Sequence, residues 1–372
     1  MMKKTAVLFF VICIAALAGC GLWSSRSQEP VRTRVVDASD EKALRAAYSG
    51  APETWPLAEL SGSEPPAYRE MDVYERTSPK LQNAHKWRAL GEALFFDPIL
   101  SADQDISCAT CHAPETAFAK PERSSTGHRG QVGNRNAPVL LDVASSPPFF
   151  WDGRAATLEE QAIGPILNPI EMAANRQMVE NRLRTNTFWR ENFSELIGET
   201  PVRLEHAAKA IAEYERSLTD KTRFDRFLEG DETILSEQEI LGLHLFRTKA
   251  RCMTCHNGPE LTDGQFHNIG LTYYGRKFQD LGLYEVTRKP ADVGAFNTPS
   301  LRHISKSGPY MHNGLFPHLK GVVNYYNGGG ARPKRREKYE GDPLFPTTTD
   351  KLVKLELTKE ERAALVAFLK TL

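Results

Sequence analysis

Two five-residue strings in the chain carry its plainest chemistry: Cys108-Ala109-Thr110-Cys111-His112 and Cys252-Met253-Thr254-Cys255-His256. Two thiols three positions apart can each form a thioether with one vinyl group of the same haem. The His that follows at once then lies beneath the iron as its ligand. A structural zinc site needs four ligands close together, whereas these pairs stand 144 residues apart. A dithiol redox centre belongs in a βαβ setting, which the surrounding pattern lacks. The other two of the six cysteines, Cys13 and Cys20, lie near the N-terminus. The chain is therefore expected to hold two covalent c-type haems, one on Cys108, Cys111 and His112, the other on Cys252, Cys255 and His256.

The elements that must position these strings form an internal repeat. Leu90-Gly91-Glu92-Ala93-Leu94-Phe95 precedes the first string and Leu241-Gly242-Leu243-His244-Leu245-Phe246 the second. Downstream, Asn136-Ala137-Pro138-Val139-Leu140 matches Asn297-Thr298-Pro299-Ser300-Leu301. Pro148-Phe149, Asp152-Gly153 and Leu158 match Pro309-Tyr310, Asn313-Gly314 and Leu319, all at a constant offset of 161. A fixed register of this kind marks a duplicated domain. Ser236 to Glu239, Thr358 to Glu361 and Thr157 to Glu160 read as capping boxes that open helices. Residues 203–217 place Leu204, Ala207, Ala208 and Ile211 at helical period. Between helices run long Gly/Pro-rich loops, 121–154 and 257–317, which a haem would give something to wrap. The expected fold is all-α, with two cytochrome c-like haem domains at 81–235 and 236–372.

The N-terminus reads as an export signal. Lys3 and Lys4 precede an apolar run, Ala6 to Ala18, too short for a confident membrane span but suited to a signal peptide. It ends in Leu17-Ala18-Gly19-Cys20, which resembles the bacterial lipobox. This predicts a signal over 1–19, a lipid anchor at Cys20, and a tether plus short arm over 20–80. The protein would then be a periplasmic lipoprotein, with Gly21 rather than Asp after the lipid Cys favouring the outer membrane over the inner. Lys plus Arg equals Asp plus Glu, 47 against 47, so no nucleic-acid partner is expected.

Several segments resemble the bacterial dihaem cytochrome c peroxidase/MauG family. They are Phe95-Phe96-Asp97-Pro98, Arg135-Asn136-Ala137-Pro138, Trp151-Asp152-Gly153-Arg154, Gly164 to Met172, Pro309-Tyr310-Met311-His312 and Tyr326-Asn327-Gly328-Gly329. The resemblance implies that peroxide reacts at the N-terminal haem and that the C-terminal haem relays electrons. It places Gln161 and Glu171 in the distal pocket. Cleaving peroxide requires moving a proton from one oxygen to the other, which a carboxylate can do as acid and base while an amide holds the substrate. It makes Trp151 an electron relay between the haems, and Asn136, Ser307 and Pro309 ligands of one calcium ion between the domains. It makes His128 a removable cap on the peroxidatic haem. At the C-terminal haem the peroxidases use a distal Met, whereas MauG uses a Tyr. Tyr326 falls on that position and Met311 is its rival. The implied activity is reduction of hydrogen peroxide with electrons from a small periplasmic cytochrome c or copper protein. A MauG-like oxidation of aromatic residues on a partner protein, and a non-catalytic dihaem carrier, stay open. A homodimer is compatible with the resemblance.

Overall fold

The computed structural model describes residues 36–63, 68–76 and 81–372. Its first helices are α1 (Glu41–Ala47), α2 (Ala84–Phe96), α3 (Cys108–Cys111), α4 (Leu158–Leu167), α5 (Arg176–Thr185) and α6 (Thr187–Ile197). There follow α7 (Leu204–Glu215), α8 (Arg223–Leu228), α9 (Glu237–Arg247), α10 (Tyr284–Thr287), α11 (Leu319–Asn327) and α12 (Lys359–Leu369). Among the described residues the only sheet is an antiparallel ribbon of β1 (Phe266–His267) and β2 (Phe296–Asn297), with Phe266 opposite Asn297. The fold is all-α.

Each half is built on a crossed helix pair, α2 on α7 and α9 on α12. A Cβ at Gly91 would stand 1.8 Å from the Ala210 carbonyl oxygen, and one at Gly242 would stand 2.1 Å from that of Ala364. Only glycine lets the two backbones approach so closely. The Leu-Gly pairs that the repeat aligns therefore mark the two crossings. Around them Leu94, Phe95, Leu204 and Ala208 fill the first core, and Ile240, Leu243, Phe246 and Phe368 the second. Each large side chain so buried contributes about 1.5–3 kcal/mol.

The repeat extends to the backbone of the loops. Asp142 and His303, Phe150 and Met311, and Gly153 and Gly314 are three left-handed pairs at the same offset. The bridges Phe149 to Ala155 and Tyr310 to Phe316 correspond in the same way. Some of these equivalent positions also touch. His303 Nε2 lies 2.9 Å from Asp142 Oδ2, and the rings of Trp151 and His312 meet edge to face at 6.3 Å. Residues equivalent under the repeat meet in this way only where the halves face each other about a pseudo-two-fold axis.

Three sequence expectations are corrected. The segment assigned to a tether and arm is, over its described part, a component of the C-terminal core. Leu44, Tyr48, Trp55 and Met71 are buried there, Tyr48 Oη lies 3.0 Å from His244 Nδ1, and Arg247 pairs with Glu70. Residues 223–235, read as N-terminal, also send Phe224, Phe227 and Leu235 into that core. Finally, Thr157 caps α4 by accepting from the Glu160 amide at 3.1 Å, but the Glu160 carboxylate turns to the Ala156 amide at 2.8 Å and does not close the box. The other two boxes form as expected. Residues 1–35, with the signal, the lipobox and Cys20, lie outside the described residues. No described helix is long and apolar enough to cross a membrane.

An ionic knot joins the halves. Asp225 takes Arg302 at 2.6 Å and Arg76 at 2.7 Å, and Arg76 reaches on to Asp142 at 3.0 Å. The Asp225 and Arg302 side chains are almost wholly buried, so each charge depends on the other for its solvation.

Candidate functional site

The first attachment string lies on α3, which starts at Cys108 and is capped by Ser107 and Thr110. His112 follows immediately, its Nδ1 2.8 Å from the Phe118 carbonyl oxygen. In the second string His256 Nδ1 stands 3.2 Å from the Leu261 carbonyl oxygen. A carbonyl only accepts, so in both rings the proton sits on Nδ1 and Nε2 keeps its lone pair for a metal. Burial holds both imidazoles below their ordinary pKa, hence neutral as ligation requires. No cysteine of the two strings is disulfide-bonded. Burial pushes the thiols of Cys108, Cys252 and Cys255 up to about 12. Such thiols stay protonated and are poor thiolate nucleophiles. The donor set fits two c-type haems, each with one preset imidazole.

The second string opens onto a cleft of ≈ 1690 Å³, its open mouth included, walled by Phe246, Leu319, Val323, Leu365 and Leu369. That wall suits a large apolar ring system. Trp151, Met311, His312 and Tyr326 also face this cleft. Two tyrosines end α11, and their partners tell them apart. Tyr325 donates to the Ile269 carbonyl at 2.6 Å and accepts from the Ala331 amide at 2.9 Å. Tyr326 makes no such bond; burial and the nearby Cys255 push its phenol up. Both rivals for the distal position, Tyr326 and Met311, thus line the same cleft.

Around the first string, His128 and Glu171 come together through the backbone. The His128 amide donates to the Glu171 carbonyl at 2.8 Å. A Cβ at Gly127 would stand 2.2 Å from the Ile170 carbonyl oxygen, so this close approach of two loops needs glycine. The Glu171 carboxyl is held above its ordinary value by burial, against the pull of Arg154 and Asn168. It is close enough to Cys111 to raise that thiol too. His128 Nδ1 is buried without a hydrogen bond; the Asp103 carboxylate stands 3.7 Å away. Gln161 lies half-buried on α4, one turn before Gly164, which packs on the Phe150 ring. Glu171 and His128 are thus joined through their backbones, with the Glu171 charge felt at Cys111, and no described contact ties the Gln161 amide to either.

Trp151 sits at the junction of the halves. Its Nε1 donates to the Asn136 carbonyl at 2.9 Å. Beside it Arg135 spans Asp152 at 2.5 Å and Asp280 at 2.7 Å. Asn136, Ser307 and Pro309 all lie on the wall of the second cleft.

Other groups here were given no role by the resemblance. His312 stacks on Phe296 at 3.6 Å, leaves Nε2 without a partner and is held by burial down to about 4. The 161-residue offset that pairs Asp152 with Asn313 would have found it opposite Trp151. Glu215 is buried in the first core near Cys108 and pushed up to about 8; its neighbour Arg216 pairs with Glu213 and Glu159 instead. Asp263 and His267 are 2.7 Å apart and gather with Cys255 within 4.8 Å. Cys255 belongs to the second attachment string, which the resemblance assigns to a haem.

The profile of a family described as di-haem cytochrome c peroxidase matches residues 85–233. Cytochrome-c peroxidase IdrP1 of Pseudomonas sp. (strain SCT) is 32% identical over 377 residues, 93% of this chain and 93% of its own. Methylamine utilization protein MauG of Methylorubrum extorquens is 36% identical over 290 residues, 76% of this chain and 77% of its own. A crystal structure of a MauG-like protein associated with microbial copper homeostasis matches with a TM-score of 0.69 and 30% identity, over 83% of this chain and 95% of that one.

Proposed function

The chain belongs to the dihaem cytochrome c peroxidase/MauG family of oxidoreductases, with two c-type haems, and on that premise we propose that it reduces hydrogen peroxide to water with electrons from a small periplasmic cytochrome c or copper protein. The haems supply the redox chemistry when bound. The residues around them supply protons, position and insulation. The observation that carries the reading is Glu171, a half-buried carboxyl held above its ordinary pKa by desolvation, on a loop whose backbone accepts from the His128 amide. Such a group can hold a proton and pass it between the two peroxide oxygens. Two electrons and two protons then turn one peroxide into two waters. The Gln161 amide is assigned to hold the substrate. His128, on the loop bonded to the Glu171 backbone, is assigned to cover the site and leave it on activation. Trp151 is assigned to carry electrons between the halves; its indole proton is bonded to a carbonyl, which cannot take it up. Asn136, Ser307 and Pro309 are assigned to one calcium ion. Lys3 to Cys20 are assigned to export to the periplasm and lipid anchoring, outer membrane before inner.

The second reading is a MauG-like oxidase that uses peroxide to oxidise aromatic residues of a partner protein. Tyr326 favours it, because a phenolate stabilises oxidised iron far more than a thioether does. A plain electron carrier, the third, needs no distal acid.

The test mixes the haem-loaded soluble form, lacking residues 1–20, with stoichiometric peroxide, with and without reduced cytochrome c. Rapid repeated oxidation of the cytochrome, faster after half-reduction, supports the peroxidase. A long-lived oxidised spectrum with little cytochrome turnover supports the oxidase. If Glu171→Gln reacts with peroxide as fast as the parent, both enzyme readings fail.

A further inference from the structure

Beside the second cleft lies another, of ≈ 1180 Å³, with Arg276, Arg332, Lys334, Arg336 and Lys338 on its walls. Residues 332–338 read Arg-Pro-Lys-Arg-Arg-Glu-Lys, five basic against one acidic, in a chain whose total charge balances at 47 against 47. None of these cations forms an ion pair with a described residue, whereas Lys86 pairs with Glu195 and Lys249 with Glu361 elsewhere on the surface. Two that wall the cleft lie over aromatic rings, Arg276 over Tyr273 at 5.1 Å and Lys338 over Tyr339 at 4.5 Å, and Arg335 next to them in sequence lies over Phe345, another wall residue, at 4.9 Å. Of the nearby acids, Asp342 is engaged by the Tyr274 hydroxyl at 2.7 Å, while Glu337 and Glu340 are exposed. Phe278, 39% exposed, packs against Tyr273 at 6.3 Å and offers an apolar anchor at the rim.

The wall between this cleft and the haem cleft is one backbone thick. Ile269 lines the haem side and its neighbour Gly270 the basic side. Arg332 donates to the carbonyl of Leu352, itself on the haem side, at 2.6 Å. Tyr325, bonded to Ile269, meets Tyr326 at 5.9 Å between ring centroids and is also near Tyr273.

We propose that this basic, aromatic cleft is the docking surface of an acidic redox protein, the partner that exchanges electrons with the C-terminal haem. The proposal rests on the reading of the chain as an enzyme that trades electrons with another protein. Exposed cations lining a cleft with aromatic walls give a steered, short-lived encounter, as electron exchange requires. A small anion would call for convergent buried donors, and these cations are exposed. A membrane presents its charge in a plane, and these cations line a concavity.

The test measures binding, without peroxide, by sedimentation of the haem-loaded soluble form. The probes are a lysine-rich cytochrome c and the same protein with its lysines succinylated, which share a haem and a fold but differ in sign of charge. The succinylated form should bind at least about tenfold more tightly at low salt, and the preference should fade by about 0.5 M salt as screening sets in. Changing Lys334, Arg335, Arg336 and Lys338 together to Gln should abolish the preference. Changing them to Glu should invert it, a gain that misfolding cannot mimic. Equal binding of both probes, or an unchanged preference in the Gln variant, overturns the proposal. So does capture of the parent, but not of the Gln variant, by phosphatidylglycerol vesicles while neither cytochrome binds. Since no peroxide is present, the proposal can fail while the peroxidase reading stands, and the converse.

Discussion

At the left-handed turn that both halves keep, the first carries Phe150 beneath the Arg154 guanidinium, 3.4 Å from the ring centroid, and the second carries Met311 on the wall of its cleft. One position further on, Trp151 of the first faces His312 of the second. Near its attachment cysteines the first half has a carboxyl, Glu171, whose charge is felt at Cys111, and the second a phenol, Tyr326, that lines one cleft with Cys252 and Cys255. The backbones correspond turn for turn while the groups near each attachment site diverge. Duplication supplied the frame twice, and the proposed function assigns the few side chains that differ to proton handling on one side and electron handling on the other.

The sharpest way to break this comparison is Glu171→Gln. It should slow peroxide turnover by about 10²–10⁴-fold, the range for loss of a general acid–base group, while dithionite reduction of the C-terminal haem, followed in the visible spectrum, stays as fast. Equal loss at both haems would mean the halves do not divide the chemistry. Next comes the knot that holds the halves together. Asp225→Ala leaves Arg302 buried without its carboxylate and should cost about 3–5 kcal/mol in denaturant unfolding. Burial alone would raise the Asp225 carboxyl, but Arg302, the Thr222 amide and Arg76 outweigh it and hold the group below its ordinary value. Its stabilisation is therefore full above the unfolded pKa and is lost as pH falls through the lower folded one. The Ala variant should lack that acid-side loss.

How far the sequence disclosed the molecule varies by region. The attachment strings, the repeat and the helix caps are local patterns, and all were legible. Gly91 and Gly242 stood in aligned motifs before their crossings were known. The arm was not legible. Leu44 and Tyr48 stand one helical turn apart, but Trp55 and Met71 follow no period, because each fills a separate hole in a surface that other elements build. The division between the halves was misplaced for a related reason: Phe224 and Phe227 announce an apolar face without saying which core receives it. In the site, Glu171 and His128 were named from family motifs, but their backbone bond and the need for glycine at Gly127 exist only in three dimensions.

Smaller effects sharpen the comparison further. Gly91→Ala and Gly242→Ala should each cost about 1–3 kcal/mol or more through forced separation of a crossed pair, read as similar losses in thermal unfolding. A marked inequality would show that the two crossings are not mechanically alike. An effect confined to one pH interval is expected at Glu215, which has no acidic counterpart in the second half. Its folded pKa is raised from 4.5 to about 8, so keeping it buried costs more as pH rises across that interval. The parent should lose stability relative to Glu215→Gln between those values and match it below them.

The contacts between equivalent positions set a condition on how such a molecule can be assembled. Two separate identical chains facing each other about an axis must place the same residue on both sides, aspartate against aspartate or indole against indole. A single chain that carries both copies is free of that condition. It can set Asp142 against His303 at 2.9 Å and Trp151 against His312, pairs of unlike groups that no symmetric pair of subunits could present at its centre. Covalent linkage of the copies is thus what allows the seam between the two haem sites to have a direction.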